Sequence, residues 1–508
     1  MRRTVGLVMV FVLISKITGF LREVAIAGTF GASLLADVYK SSMIVPGMVV
    51  SLFTVGLNAS LIPILSSAER NNKREEFFQN FLSIVTFLSL VALLIIILFT
   101  GPITKLFVPG FEADKLAMTV KYTRIIAIIA PLQVLAYTII AWLQQKERFY
   151  IAAFVGIPMN IIIIAGALLN RSGNLTMIAA ATIVGYLAQF LWVFYPYWKT
   201  KPVINLKPTL SDPYLRMFWI MIIPILLTIA AGQINVLVDI ALASSLGDGV
   251  VSNMDYANRV NMMFQSVLVL SLSSVLFTKQ SKLSSADNKR EVFQITKQNL
   301  SVLLIMMVPI ALGTMFLSKE IMTILFVRGR YTLEAAAIGG SILFFYAPTI
   351  VTRAMMEMFG KLYFSLHMPK KPMVPTFIMI GINIVLNFIF VRFWGARGLA
   401  LATSVASALG VLIIAWQARR LFHQENIELT SPSMYKSLAA GTVMFLFLVM
   451  LRWLTPMSSL TAIPMALSSA AIGAVVYTGI LYLLKTDELY DIGNQIIRRL
   501  RRGNHNGS

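Results

Sequence analysis

Lys16, Arg22 and Arg259 are basic residues set in stretches otherwise built like membrane helices, and Asp37, Lys40 and Asp255 stand in similar surroundings. A charge at the centre of a bilayer costs at least about 2.5–3.5 kcal/mol on insertion scales, so each of these residues must face a wet cavity or a partner. Within "SKITGFLRE", Lys16, Gly19 and Glu23 follow one another at spacings of three and four and share a helix face, with Arg22 about 100° away from Glu23. A cavity with surplus Lys and Arg selects an anion, and the planar fork of arginine suits phosphate oxygens. Lys40 follows Asp37 by three residues, so a structural ion pair competes with ligand binding there. Arg353 and Glu357 read as structural, and Lys121 and Arg124 as interfacial anchors.

A second constellation is less basic. Asp239 is the single acid of one apolar stretch, Asn383 and Asn387 are one turn apart on another, and Thr403 follows on the next. Oxygen donors around one carboxylate suit a small hard cation, so sodium is the one cofactor these residues suggest. Hydrogen bonding between helices explains the same amides equally well, and both readings stay open.

The elements that must carry these residues are transmembrane helices. Of 508 residues, 57% are hydrophobic and 13% charged, a composition suited to lipid and poor for a soluble globule. The net charge of +21 raises nucleic acid as a partner, but the basic residues are scattered in short clusters between apolar runs, which points to a membrane and to no nucleic acid. No cysteine is present, and His367, His423 and His505 are too dispersed to form a ligand set. Arg2 and Arg3 precede an apolar run without a small-residue cleavage site, so a retained first helix is expected.

Apolar stretches of about 20 residues predict an all-α polytopic membrane protein with about 14 transmembrane helices. Alternate loops, including "ERNNKREE", "WKTKPVINLKP", "MPKK" and the tail with "RRLRR", hold most of the Lys and Arg, which places both termini in the cytoplasm. Every loop is short. A repeat supplies the organisation: Phe-Val-x-Gly occurs at Phe107 and Phe326, an Ala-Pro pair follows at Ala130-Pro131 and at Ala347-Pro348, then Phe149-Tyr150 and Tyr363-Phe364, then "GIPMNIIII" and "GINIVLN". The displacement spans an even number of helices, so the halves point the same way around an axis along the membrane normal, as in many transporters. The expected domains are an N-lobe of helices 1–6 over residues 1–200, a C-lobe of helices 7–12 over 201–425, two appended helices over 426–486, and a basic cytoplasmic tail over 487–508.

With these residues in view, the chain resembles the MurJ/MviN lipid II flippases of the multidrug/oligosaccharidyl-lipid/polysaccharide exporter superfamily. The carriers are "SKITGFLRE", "FGASLLADVY", "NMDYANRV", "LFVRGRYT", "LYFSLHMPKKP" and "ARGLALATSVA". The resemblance implies transport, not catalysis: an undecaprenyl-diphosphate-linked peptidoglycan precursor is moved from the inner to the outer leaflet of the bacterial cytoplasmic membrane by alternating access. It implies that Arg22 and Arg259 match cavity arginines of the family, that Lys16 replaces an arginine, and that Asp37 matches a family acid. Lys40 completes the substrate-binding set expected from the residues. It further implies a lipid-tail groove bordered by the last two helices and a sodium site at Asp239, Asn383, Asn387 and Thr403, although Asn387 stands where the family site has an acid. Two other departures are apolar: Val50, where some relatives are basic, and Met262, where some are acidic. The expected partners are the polyprenyl-linked glycan and membrane lipid, and the expected state is a monomer.

The nearest rival is the same machine carrying an exopolysaccharide-type or teichuronic-type lipid-linked oligosaccharide. A cation-coupled drug exporter would want an acidic or aromatic cavity. A membrane glycosyltransferase would need paired carboxylates or a metal-binding acid cluster, and no long loop offers one.

Overall fold

In the computed structural model, whose described residues are 2–200, 208–265, 289–366, 368, 370–424, 426–454 and 461–486, the chain is helical, with no strand among those residues. Eleven helical stretches among them, three of these made of two consecutive helices, are long and apolar enough to cross a membrane. The remaining three of the 14 apolar stretches in the sequence, which cover 4–29, 35–66 and 250–278, each contain side chains outside the described residues. His367, His505 and the tail from 487 also lie outside them.

The chain divides into two compact units, one running to Tyr256 and including Phe326–Ala335, the other formed by Ala257–Leu325 and the residues from Ala336 onward. In order, the helices of the first stretch are α1 (Arg2–Phe30), α2 (Leu34–Ser42), α3 (Ile44–Arg70), α4 (Arg74–Phe107), α5 (Ala113–Ile126), α6 (Ile129–Gln145), α7 (Phe149–Phe154), α8 (Gly156–Leu169), α9 (Leu175–Trp198) and α10 (Pro213–Ser244). Helix α11, residues 250–265, crosses the boundary between the units. Then come α12 (Lys289–Phe316), α13 (Ser318–Phe326), α14 (Leu333–Tyr346), α15 (Thr349–Ser365), α16 (Met373–Trp394), α17 (Ala396–Gln424), α18 (Pro432–Leu454) and α19 (Ala462–Leu483).

Several expected spans are broken helices. Of the 14 apolar stretches in the sequence, the one over 117–143 is α5 and α6, and the one over 334–363 is α14 and α15. Proline explains both breaks, since it lacks an N–H and its ring collides with the carbonyl four residues back. The chain turns just before or at Pro131 and Pro348, closed by tighter bonds from Ala130 N–H to Ala127 O and from Ile350 N–H to Ala347 O, each 3.0 Å. The pieces match in length, 14 and 17 residues in both cases, so the repeat seen in the sequence is also a repeat of helix breaks.

The turn from α1 into α2 depends on Gly31, whose φ of +69° favours glycine. Ser33 then caps α2, its hydroxyl accepting the Ala36 N–H at 3.4 Å. Asp212 caps α10 by accepting the Tyr214 N–H at 2.8 Å, with Pro213 in the first turn.

In the first unit, α3, α4, α6 and α10 share an apolar core where Phe78 stacks on Trp142 at 4.3 Å. A second cluster joins α1, α2, α5, α8 and α9 around Ile26, Phe30 and Tyr39. In the second unit, α12, α15 and α17 pack together, and α18 and α19 lie against α12. Gly441 of α18 makes that approach close, because a methyl group there would sit 2.9 Å from Leu312. Tyr477 of α19 ties the layer down by donating to the Ile305 carbonyl at 2.9 Å.

Candidate functional site

Glu23, only 3% exposed, is the hub of the first unit's charged interior. It lies on the face of α1 turned toward α2, so one carboxylate oxygen accepts from Arg22 at 2.7 Å and the other from Lys40. Lys40 reaches on to Asp255 of α11 at 2.6 Å, with its ammonium 4.9 Å from the centre of the Tyr256 ring. Arg22 also donates to the Asn160 side chain at 3.2 Å, and Asn160 in turn holds Thr18 and the Ser15 carbonyl. The result is a row, Arg22, Glu23, Lys40, Asp255, in which cations and carboxylates alternate. Side-chain exposures of 16% for Arg22 and 10% for Lys40 leave both cations largely desolvated yet not sealed. An anion that displaced either carboxylate would therefore meet cations already oriented and stripped of most of their water.

Of the other expected residues, Lys16 is exposed on α1, six residues and so about 9 Å along the axis from Arg22. Arg259 is exposed on α11, one turn beyond Asp255. Asp37 is elsewhere. It has no exposed surface, and its carboxylate accepts from Lys115 at 2.9 Å and from the backbone N–H groups of Gly249 and Ser252 at 2.7 and 2.8 Å. Lys115 also holds Asp248, at 2.7 Å. Asp37 thus binds α2 to α5 and to the first turn of α11, and Lys40, three residues away, has other partners. The segment Phe326–Ala335 joins the same unit: Arg330 N–H donates to Gly28 O at 2.9 Å, and Tyr331 donates to Asn253 at 2.7 Å.

Sequence reasoning noticed Glu23 and Asp255 but did not place them in the site, and it missed Lys115. The signal for Lys115 was a lysine entering an apolar stretch, "ADKLAM", but nothing local pointed to its partner 78 positions earlier.

In the second unit, Asn387 donates to Asn383 at 2.9 Å, and Asn383 donates to Thr403 of the neighbouring helix at 3.4 Å. Both amides are buried. Asp239, on α10, belongs to the first unit. Among the described residues no group of three or more His, Cys, Asp or Glu side chains could hold a metal. Glu357 pairs with Lys361 at 2.8 Å on α15. Val50 is buried in the apolar core, and Met262 is 46% exposed.

A family model described as lipid II flippase MurJ matches residues 26–475. The chain belongs to the MurJ lipid II flippase family. Curated MurJ relatives cover nearly all of it: the probable lipid II flippase MurJ of Thermotoga maritima is 26% identical over 494 residues, 97% of each chain. That of Aquifex aeolicus is 25% identical, covering 96% of this chain and 95% of the relative. Among solved structures, a lipid II flippase MurJ in an inward closed conformation superposes with a TM-score of 0.82 at 22% identity, covering 95% of this chain and 99% of that one. An inward-facing multidrug resistance MATE family transporter of the MOP superfamily gives 0.69 at 14% identity, covering 81% of this chain and 95% of that one. These two likenesses concern the fold. They agree with the all-α, multi-span fold expected from the apolar pattern.

Proposed function

We infer that the chain is a lipid II flippase, an integral multi-pass membrane transporter that carries a polyprenyl-linked peptidoglycan precursor between leaflets. Membership of the MurJ family across residues 26–475 carries this reading. The protein works in the bacterial cytoplasmic membrane with both termini inside, as the distribution of Lys and Arg among the loops supports.

Arg22 and Lys40 are the groups that receive the diphosphate, with Lys16 on the same helix as Arg22 and Arg259 on α11 as further cations. In the resting arrangement Glu23 and Asp255 neutralise Arg22 and Lys40. The diphosphate takes over their hydrogen bonds from donors already positioned, and the displaced Glu23 carboxylate must gain water or a proton as its cations turn to the substrate. Binding energy differing between inward and outward states then shifts the population, as alternating access requires. A membrane potential adds a bias of about 2.3 kcal/mol per charge moved through 100 mV. Asn383, Asn387 and Thr403 serve as hydrogen-bond glue between α16 and α17.

The test is rescue of a bacterium depleted of its lipid II flippase, paired with an assay of lipid II exposure in the outer leaflet. Rescue with restored exposure supports the assignment; growth failure by a well-expressed, folded protein refutes it.

A further inference from the structure

The first unit has an apolar cavity of about 200 Å³ between α3, α4 and α10. It runs from Leu215, Phe218 and Trp219, in the first turns of α10, to Leu52 and Leu226 deeper in the span. We propose that this cavity holds an acyl chain of an anionic phospholipid from the cytoplasmic leaflet, with the phosphate placed against Arg216.

The interior chemistry selects hydrocarbon. No polar atom contributes to the cavity surface, so water would find no hydrogen-bond partners there and an empty space would forfeit dispersion contacts along its walls. The volume equals about seven groups of water or methylene size at roughly 30 Å³ each, which is part of one chain. The surroundings supply such a chain: Ile220, Ile223 and Leu227, on the adjoining face of α10, are exposed at 53–65%, as lipid-facing residues are.

The rim selects the headgroup. Arg216 is exposed one turn before Trp219, at a spacing that puts both on one side of α10, and a tryptophan at this level marks a membrane interface. Of the carboxylates at this end, Glu69 pairs with Arg74 and Glu75 with Lys146, while Asp212 accepts the Tyr214 N–H and Glu76 is exposed. Among the described residues, no carboxylate lies within ion-pairing distance of Arg216, Arg70 or Lys73, and these three cations outnumber the two acids without an ion pair there, Glu76 and Asp212. Unpaired basic residues beside an apolar slot suit a lipid phosphate bearing net negative charge.

The inference rests on the orientation proposed above, which sets this end of α10 in the cytoplasmic leaflet. It does not require that lipid II be the cargo, so its test reads phospholipid binding and not flipping. The purified full-length protein is titrated with phosphatidylglycerol or with phosphatidylcholine of the same chains, and bound lipid is counted by native mass spectrometry. We expect phosphatidylglycerol to be favoured about fivefold, the factor that one basic residue contributes near an anionic surface. Arg216→Gln should bring the two lipids to parity. Ile222→Trp, or Val85→Phe from the opposite wall, should lower retention of both in whichever variant keeps the wild-type Tm. Equal retention of the two lipids by the wild type, retention unchanged by filling the cavity, or displacement of phosphatidylglycerol by a polyprenyl phosphate would overturn the proposal.

Discussion

The Glu23 carboxylate holds the Arg22 guanidinium at 2.7 Å, and the two are consecutive residues of one helix. Adjacent helical positions do not face each other, so this contact requires both side chains to bend into a common space, where Lys40 meets the same carboxylate. Removing Glu23 therefore leaves two neighbouring cations with one internal counter-ion fewer. Glu23→Ala should lower stability by about 3 kcal/mol, as expected when one partner of a largely buried ion pair is lost. Thermal unfolding in detergent measures this, and an unchanged Tm would mean that the row is solvated and energetically slack.

Lys115 has the opposite role, as the cation that lets Asp37 be fully buried. Lys115→Met should destabilise the protein by about 3–5 kcal/mol, because it strands a carboxylate in the interior. Adding Asp37→Asn should recover part of the loss, since the uncharged amide no longer needs a cation. If the double variant is less stable than Lys115→Met, the backbone N–H groups of Gly249 and Ser252 outweigh the lysine.

Asn387→Ala removes the hydrogen bond to Asn383 and should cost about 1 kcal/mol, with equal Tm in sodium and potassium before and after the change. A sodium-specific rise in the wild-type Tm that disappears in Asn387→Ala would instead assign a cation to these oxygens.

Outside the spans, Glu69 is held below the usual carboxylate value of 4.5, chiefly by the Gln145 side-chain hydrogen bond at 2.9 Å and then by Arg74. A depressed carboxyl stabilises the fold above its unfolded value and loses that contribution as the pH falls through its folded value. The Tm difference between wild type and Glu69→Gln should therefore be constant at neutral pH and shrink below about 4.5. A difference that persists at lower pH would place the effect in packing and not in charge.

Much of this architecture was legible in the sequence because bilayer helices must be long and apolar, and because Phe-Val-x-Gly and Ala-Pro recur in order. The same Ala-Pro pairs carried the helix breaks, which a count of spans overlooked. Partner choice was less legible. Lys40 sits three residues from Asp37, yet helix α2 turns the two toward different neighbours, one toward α1 and the other toward α5. Spacing along one helix fixes which face a charge occupies, but its counter-ion comes from whichever helix packs there: Glu23 and Asp255, 17 and 215 positions away, for Lys40, and Lys115, 78 positions away, for Asp37.

Arg22 and Lys40 exchange their internal carboxylates for the diphosphate of lipid II. The most direct measurement of this exchange is outer-leaflet exposure of lipid II in flippase-depleted cells expressing Arg22→Ala or Lys40→Ala at wild-type levels. Exposure and growth should be lost in both variants while the folded protein persists in the membrane; normal exposure in both would show that neither cation holds the diphosphate.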